Sequence, residues 1–408
     1  MAEWRTAAIT SWQECTLPDG SQSSECRSDG DFVLDMTQQP GHDAVSAWDT
    51  LVSTRPDSDV AQLSAWAEIR RSAGFEPLYI FVRRRNELVA GALLLTRTVP
   101  VIGEIGYMSY GPVIAPGLDR TAVIPEMTAA LVDVARSRLA MLFIQPPLDG
   151  EDISHDLLAH GFRRSSAGIA PSASLRLDLA RDEDDLRAGL RKRLRTWTRS
   201  WPKRGVDVRR GNRDDIQLFG QLHAATAKHQ GFEPHTSDYL TTLYERLAAR
   251  GHAELFIGQI NGRPVAGRLY SCCGGVMKLR FAGMDRDDEA ARLSVPAAVE
   301  WETILWAKAH GYRWFDFGGM RQDAVPILET EGPNSPALRT IDAFKATFGG
   351  TPFHYPQPVE LIRPHTLRAA YDLARRWPVG ERFVKRTYNR LRVGNPVTAG
   401  HVSRPRSP

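Results

Sequence analysis

Cysteine is scarce in this 408-residue chain. The four present, Cys15, Cys26, Cys272 and Cys273, have no metal-ligand spacing, so neither a disulfide scaffold nor a zinc module is expected. The adjacent pair Cys272–Cys273 reads as part of a strand. No run approaches the ~20 apolar residues needed to span a bilayer. Met1–Gln39 is polar and lacks a basic-then-apolar signal pattern, so a cytoplasmic protein is expected. There is no G-x-x-x-x-G-K-[ST] phosphate loop, no G-x-S-x-G elbow and no H-E-x-x-H, and the eleven histidines are scattered without ligand pairs. These absences argue against P-loop, serine-hydrolase and zincin chemistry. They leave no metal or cofactor implied.

What is present suits an ordinary globular protein: 42% hydrophobic and 25% charged residues, in a length that fits two or three domains. The charge is unevenly placed. Leu186–Arg213 holds eleven Lys/Arg against Asp207 alone, and Arg363–Arg392 holds nine against Asp372 and Glu381. With a net charge of only +4, the remainder is an acidic body. Concentrated positive segments of this kind meet phosphate or an anionic membrane surface.

The first 40 residues read as a flexible leader by composition. Gln62–Phe75 then reads as an amphipathic helix, and Leu78–Val82 and Leu88–Leu95 as a hairpin around Arg85–Asn86–Glu87. Helices over Val123–Ser137 and Asp152–His160 flank a strand at Met141–Pro147. The second half repeats this order: helices over Leu218–His229 and Ser237–Arg250, then strands Leu255–Ile260 and Val265–Ser271 around the Asn261–Gly262 turn. A further strand (Met277–Gly283), a helix (Val295–His310) and a strand (Trp314–Phe317) follow. At an offset of 176, Val89–Ala90–Gly91 falls on Val265–Ala266–Gly267. We therefore expect an α/β protein made of two copies of one unit, each a mostly antiparallel twisted sheet with helices on its faces. The boundaries expected are 41–172, completed by 350–393, for the first unit and 173–349 for the second, with 394–408 a flexible tail.

Three motifs bear on chemistry. In "LRKRLRTWTRSWPKRG" (Leu190–Gly205), helical spacing puts Arg191, Arg195 and Arg199 on one face and turns Leu190, Leu194 and Trp197 inward. A merely solvated face normally intersperses acids, and none occurs here, so phosphate or nucleic-acid contact is expected; Lys203 and Arg204 extend it. Trp197 and Trp201 read first as core residues, with base stacking as the alternative. In "FKATFGG" (Phe344–Gly350), Lys345 reads by itself as a snorkelling surface residue. In "WFDFGG" (Trp314–Gly319), Asp316 reads as a structural acid that must be hydrogen-bonded or charge-paired if buried.

Taken together, the ordered segments resemble the Fem family of aminoacyl-tRNA-dependent transferases. They are Trp66–Arg70, "YMSYGPV" (Tyr107–Val113), the basic stretch before "KRGVDV" (Lys203–Val208), "VAGRLY" (Val265–Tyr270), "FAGMD" (Phe281–Asp285), "GYRWFDFGG" (Gly311–Gly319) and "FKATFGG". The resemblance spans roughly Ser64 to Arg392. It implies two tandem acetyltransferase-like (GNAT) domains and transfer of an amino acid from charged tRNA to the stem-peptide amine of a peptidoglycan precursor, building interpeptide bridges. The family's acceptor-binding positions fall on Arg70, where members more often have Lys, and on Tyr110, His235, Tyr239 and Phe281; an Arg–Tyr pair is usual where this chain has His235 and Tyr239. The positions implicated in catalysis fall on Phe344 and Lys345. Nothing between Arg195 and Val206 leaves room for a coiled-coil arm, so the layout is similar to FemX.

On this resemblance the partners are aminoacyl-tRNA as donor and a peptidoglycan precursor or other amine-bearing molecule as acceptor. Peripheral contact with the inner membrane face is expected through the C-terminal basic segment, where Leu367, Tyr371, Leu373 and Trp377 have roughly helical spacing; packing of that segment on the first unit is the alternative. Three other functions stand beside bridge formation. Fem-like relatives form amide bonds in specialised metabolites. An acyl-coenzyme A N-acyltransferase would share the fold, but its pyrophosphate-loop spacing is met only by Gln259–Pro264, which ends in Pro within a hairpin. A non-catalytic tRNA-binding protein would explain the basic segments but not the acceptor-site matches.

Overall fold

Runs of β-branched and aromatic residues punctuated by turn residues build two sheets, described over residues 12–15, 24–29, 31–285 and 288–376 of a computed structural model. The first half supplies β1 (Gln13–Cys15), β2 (Ser24–Asp29), β3 (Phe32–Thr37), β4 (Glu76–Arg84), β5 (Glu87–Val99), β6 (Gly103–Ser109), β7 (Val113–Ile114), β8 (Met141–Gln145) and β9 (Arg163–Arg164). The second supplies β10 (Ala173–Asp178), β11 (Val206–Arg210), β12 (Ala253–Ile260), β13 (Arg263–Cys273), β14 (Val276–Met284), β15 (Trp314–Gly319), β16 (Thr351–His354) and β17 (Val359–Ile362). The sheet orders are β1-β2-β3-β4-β5-β6-β8-β17-β9, with β7 on β5, and β11-β12-β13-β14-β15-β10-β16. Each sheet has one parallel pair, β6 with β8 and β14 with β15.

The duplication is visible in shared irregularities. Both long hairpins close on two left-handed residues, Arg85 and Asn86 in one, Asn261 and Gly262 in the other. Both registers slip at the same offset of 176, between Val82 and Arg83 and between Gly258 and Gln259. Gly91 and Gly267 also match: a Cβ on either would come within 2.7 Å of an aromatic ring, Trp48 in the first unit and Phe219 in the second. One strand crosses between the units: β10 opens the second unit and pairs with β15 in its own sheet, while β17 returns after the second unit to pair with β8 in the first.

The helices are α1 (His42–Thr54), α2 (Ser64–Arg71), α3 (Arg120–Ser137), α4 (Glu151–Ala159), α5 (Glu183–Gly189), α6 (Lys192–Trp197), α7 (Ile216–Gln230), α8 (Ser237–Ala248), α9 (Asp288–Leu293), α10 (Val295–Ala309), α11 (Ala324–Thr330), α12 (Thr340–Ala346) and α13 (His365–Arg376). Period-two alternation sends neighbouring strand residues to opposite faces. Leu78, Ile80 and Val82 pack with α3 and α4, whereas Tyr79 and Phe81 enter a central core. That core also takes Leu255, Ile257 and Leu269 of the second sheet, and α1, α2, α7 and α8 lie in it between the sheets. A third core, on the far side of the second sheet, includes α5, α6 and α10.

Four expectations are corrected. Residues 24–29 and 32–37, assigned to a flexible leader, form β2 and β3, and Leu34 and Met36 are buried in the first unit's core. Cys26 is disulfide-bonded, which its spacing gave no reason to expect. The segment returning to the first sheet begins at β17 and not at residue 350, because β16 pairs with β10. The basic stretch is not one long helix: α6 ends at Trp197, a 3-10 turn covers Pro202–Arg204, and Arg199 lies beyond the helix. Leu190 and Leu194 are buried and Trp197 packs on them as expected, and Trp201 is a core residue whose indole donates to Leu293 O at 2.9 Å. Residues 1–11, Trp377 and the basic residues that follow it, and the tail at 394–408 lie outside the described residues.

Candidate functional site

The parallel pairing of β14 and β15 stops at Lys278 and Asp316, although β14 continues to Met284 and β15 to Gly319. Where they part, Lys278–Phe281 on one side and Gly319 on the other line a cavity of about 320 Å³. The first unit closes it with Trp66 and Arg70 of α2, Tyr107 of β6, Tyr110, and Met141 and Phe143 of β8; His235 and Tyr239 come from the second. All five residues assigned to the acceptor, Arg70, Tyr110, His235, Tyr239 and Phe281, thus share one cleft.

Arg70 is the cleft's charged group on the first unit's side, facing Lys278 and Arg280 of the second. It is 2% exposed, and its guanidinium lies 4.8 Å from the Phe75 ring centroid. Burial works against its charge, but interactions with the Tyr107 and Tyr239 hydroxyls outweigh that and raise its pKa. His235 lies among aromatic rings. Its ring continues a stack of Phe219, His223 and Tyr239, with centroids 6.0 Å from His223 and 4.7 Å from Tyr239, and the edge of Phe281 closes on it at 4.7 Å. Burial lowers the pKa of His223, although its Nδ1, 3.0 Å from Ala282 O, partly opposes this.

Part of the cleft wall belongs to a charge cluster that sequence reasoning missed. Asp59 accepts from Lys278 Nζ at 3.2 Å and from Arg280, and Lys278 also donates to the Tyr355 hydroxyl at 3.1 Å. Burial alone would raise the Asp59 carboxyl, but Arg280 and Lys278 hold it well below the ordinary carboxylate range. Tyr110, in the left-handed region at φ 58°, lays its ring 4.3 Å from Lys278 Nζ and donates to Pro171 O at 3.0 Å. The available signal was the pair of cations two apart in an apolar strand, Lys278 and Arg280, which puts both on one face.

Lys345 is buried, which overturns the snorkelling reading. Its Nζ donates to Gly318 O at 3.0 Å and Gly319 O at 2.5 Å, so it approaches the cleft from behind the Gly319 wall and does not itself line it. Burial lowers its pKa, against the opposing charges of Asp316 and Asp342. Gly318 must be glycine here: its φ is +75°, and a Cβ would meet Leu279 O at 2.6 Å. Asp316 fixes this turn, accepting from Gly318 N–H at 2.8 Å and from the Ser174 hydroxyl at 2.5 Å, with Arg176 as its charge partner. Phe344 is half-buried and meets the Phe348 ring edge-on at 5.4 Å.

On the other side of α12 is an open basic groove. Arg191, Lys192, Arg193 and Arg195 line it together with Pro333, Asn334 and Ala346. Arg191 ties it to α12, its N–H donating to Thr347 O at 2.9 Å and its guanidinium to Pro333 O at 2.6 Å. Arg199, Lys203 and Arg204 are exposed but are not part of this groove.

The thiols stand apart from this chemistry. Burial pushes Cys272 up to about 12 and Cys273 higher still. We expect N-ethylmaleimide at pH 7.5 to leave both unmodified in the folded protein, with labelling only after denaturation; peptide mass mapping checks this. Among the described residues there is no cluster of metal ligands and no helix long and apolar enough to cross a membrane.

An acetyltransferase (GNAT) domain family matches residues 160–324. Lipid II:glycine glycyltransferases of Staphylococcus saprophyticus and Staphylococcus aureus are 27% identical over 230 and 225 residues, covering 54% and 52% of this chain. The matches cover 55% and 53% of those proteins, so the chain spans about half the length of the curated relatives it matches. The crystal structure of FemX superposes with a TM-score of 0.68 at 20% identity, covering 81% of this chain and 98% of that one.

The resemblance to the Fem family holds. The C-terminal domain of a lysylphosphatidylglycerol synthetase from Agrobacterium fabrum shares the fold more distantly, with a TM-score of 0.51 at 15% identity over 80% of this chain and 94% of that domain. There is no arm where the sequence left no room for one: α6 passes through Pro202–Arg204 directly into β11. Gln259–Pro264 is the β12–β13 hairpin turn and opens no helix, which weakens the acyl-coenzyme A alternative.

Proposed function

We propose that this protein transfers an amino acid from aminoacyl-tRNA to an amine on a peptidoglycan precursor, forming an interpeptide bridge at the inner face of the membrane. The observation that carries the reading is the position of α12: Lys345 contacts the wall of the acceptor cleft through Gly319, while Ala346 lines the basic groove. A donor held by phosphate contacts in the groove and an acceptor held in the cleft would meet at this helix. The staphylococcal relatives are lipid II:glycine glycyltransferases, which agrees with a peptidoglycan-precursor acceptor and an amino-acid donor.

The ester of an aminoacyl-tRNA is already activated. The acceptor amine attacks the ester carbonyl, the C–N bond forms as the bond to the 3′ oxygen breaks, and the proton lost by the amine balances the one gained by the leaving oxygen. An ammonium at Lys345 stabilises the oxyanion or protonates the leaving oxygen, and its lowered pKa makes that proton easier to release. Arg70 and the aromatic walls would hold the acceptor, so that much of the rate comes from orienting two bound substrates.

The direct test incubates the protein with separately charged radiolabelled Gly-, Ala- and Ser-tRNA and a stem-pentapeptide precursor. RNase-sensitive transfer of label to the precursor supports the proposal. Absence of transfer with tRNA still bound favours a binding protein. One observation favours a second reading: the stacked His235 leaves the cleft without the Arg of the family's usual pair. Label appearing only on a small metabolite would move the function to amide formation in specialised metabolism.

The groove makes its own prediction. Reversing Arg191 and Arg195 to Glu weakens tRNA binding and flattens the dependence of log Kd on log salt, by a slope of roughly 0.7 per lost single-strand phosphate contact. Arg199→Glu, outside the groove, has the smaller effect. Equal effects at all three positions would place the tRNA elsewhere.

A further inference from the structure

Three carboxylates act on buried Lys345: Asp316 from β15, Glu300 from α10 and Asp342 from its own helix, with Arg268 of β13 as the opposing cation. Glu300 is satisfied on both oxygens, accepting from Arg268 Nε at 3.0 Å and the Tyr270 hydroxyl at 2.8 Å. Asp316 accepts from Ser174 and Gly318 N–H on Oδ1, while its Oδ2 has only Arg176 Nε, 3.5 Å away, as a charge partner. Asp342 differs. It is 1% exposed, and neither carboxylate oxygen receives a hydrogen bond. The groups around it are Lys345 one turn on, Arg339 at the start of the helix, and Arg321, whose Nε is 4.0 Å away. A carboxylate buried without donors is costly unless it serves a charge. Lys345, three residues on and on the same face of α12, is the buried cation of that helix, with two of its three N–H groups given to Gly318 and Gly319.

We propose that Asp342 is a positioning residue for Lys345, the counter-charge that keeps the buried ammonium protonated until the reacting ester draws on its proton. The two groups are shifted in opposite directions. Burial raises Asp342 against the pull of Lys345 and Arg339, and burial lowers Lys345 against the pull of Asp316 and Asp342. Removing the Asp342 charge therefore lowers the proton affinity of Lys345 further. The alkaline limb of kcat then moves to lower pH. The catalytic part of this proposal rests on the transferase reading above; the charge pairing does not.

The test uses the full chain carrying Asp342→Asn, Asp342→Ser or Asp342→Glu, each checked by thermal melting. Trace acetic anhydride labels the neutral amine, and peptide mass mapping reads the labelling of Lys345 against pH without any substrate. We expect D342N and D342S to label at lower pH than wild type and D342E to stay close to wild type. With glycyl-tRNA and a lipid-linked pentapeptide, kcat of D342N at pH 9 should fall about tenfold or more, with KM for both substrates unchanged and D342E restoring it. Labelling curves identical in wild type, D342N and D342S overturn the proposal, whatever happens to kcat. Shifted labelling in a protein that transfers nothing supports the pairing and removes the transferase reading.

Discussion

Lys345→Met lowers kcat by about 10²–10³-fold while leaving the affinity for charged tRNA close to wild type. The substitution keeps an unbranched side chain in the seat beside Gly318 and Gly319 but removes the ammonium that would donate a proton or carry positive charge to the reacting ester. Affinity survives because the groove cations, Arg191 to Arg195, sit on the other side of α12. Kd from filter binding and kcat from single-turnover transfer separate the two quantities. An unchanged kcat removes Lys345 from the chemistry, whereas kcat and Kd weakening together would make it a binding residue. Lys345→Arg sharpens the result: it keeps the charge but cannot release a proton near neutral pH, so recovery by Arg favours oxyanion stabilisation over proton donation.

Asp59→Ala has the largest expected effect on stability, about 3–5 kcal/mol, because it leaves Lys278 and Arg280 buried without their shared counter-charge. Urea unfolding with an unchanged m-value measures it. The pH dependence has a definite sign. The Asp59 carboxyl is held below its ordinary value near 3.8, so its contribution is fully present above that value and is lost as pH falls through the range below it. Wild type and variant therefore converge in stability toward acid pH and differ most at neutral pH. A loss below about 1 kcal/mol at pH 7 would mean that water replaces the carboxylate beneath the cleft.

The hairpins, the helices behind them and the duplication were legible because turn residues and apolar periodicity are local. Asn261–Gly262 and its counterpart Arg85–Asn86 announce their own geometry. The five cleft residues were reached only through the family resemblance, since Arg70 and Phe281 have nothing in their local context to join them. Asp59, Lys278 and Arg280 escaped notice because their partnership crosses between the units and exists only once both have folded. β2 was hidden by its composition, "SECRSD", which has no apolar alternation to mark it. The basic face was misjudged because charge spacing shows where a helix could run, not where it stops. Lys345 was read as exposed because an isolated lysine usually is; its burial depends on two glycine carbonyls contributed by another element.

The returning strand β17 also sets the order in which the site is made. β8 leaves the ribosome roughly two hundred residues before its neighbour β17. At about 5–20 residues per second, the newborn first sheet waits some 10–40 s with that edge open. Open edges recruit stray strands, so this interval is the vulnerable period in the protein's biosynthesis. Met141 and Phe143, which wall the cleft, sit on the waiting strand, and Gly319 is not yet synthesised when they emerge. A nascent first half can therefore be compact, yet the cleft is finished only once Gly319 and the returning strand β17 have both been translated.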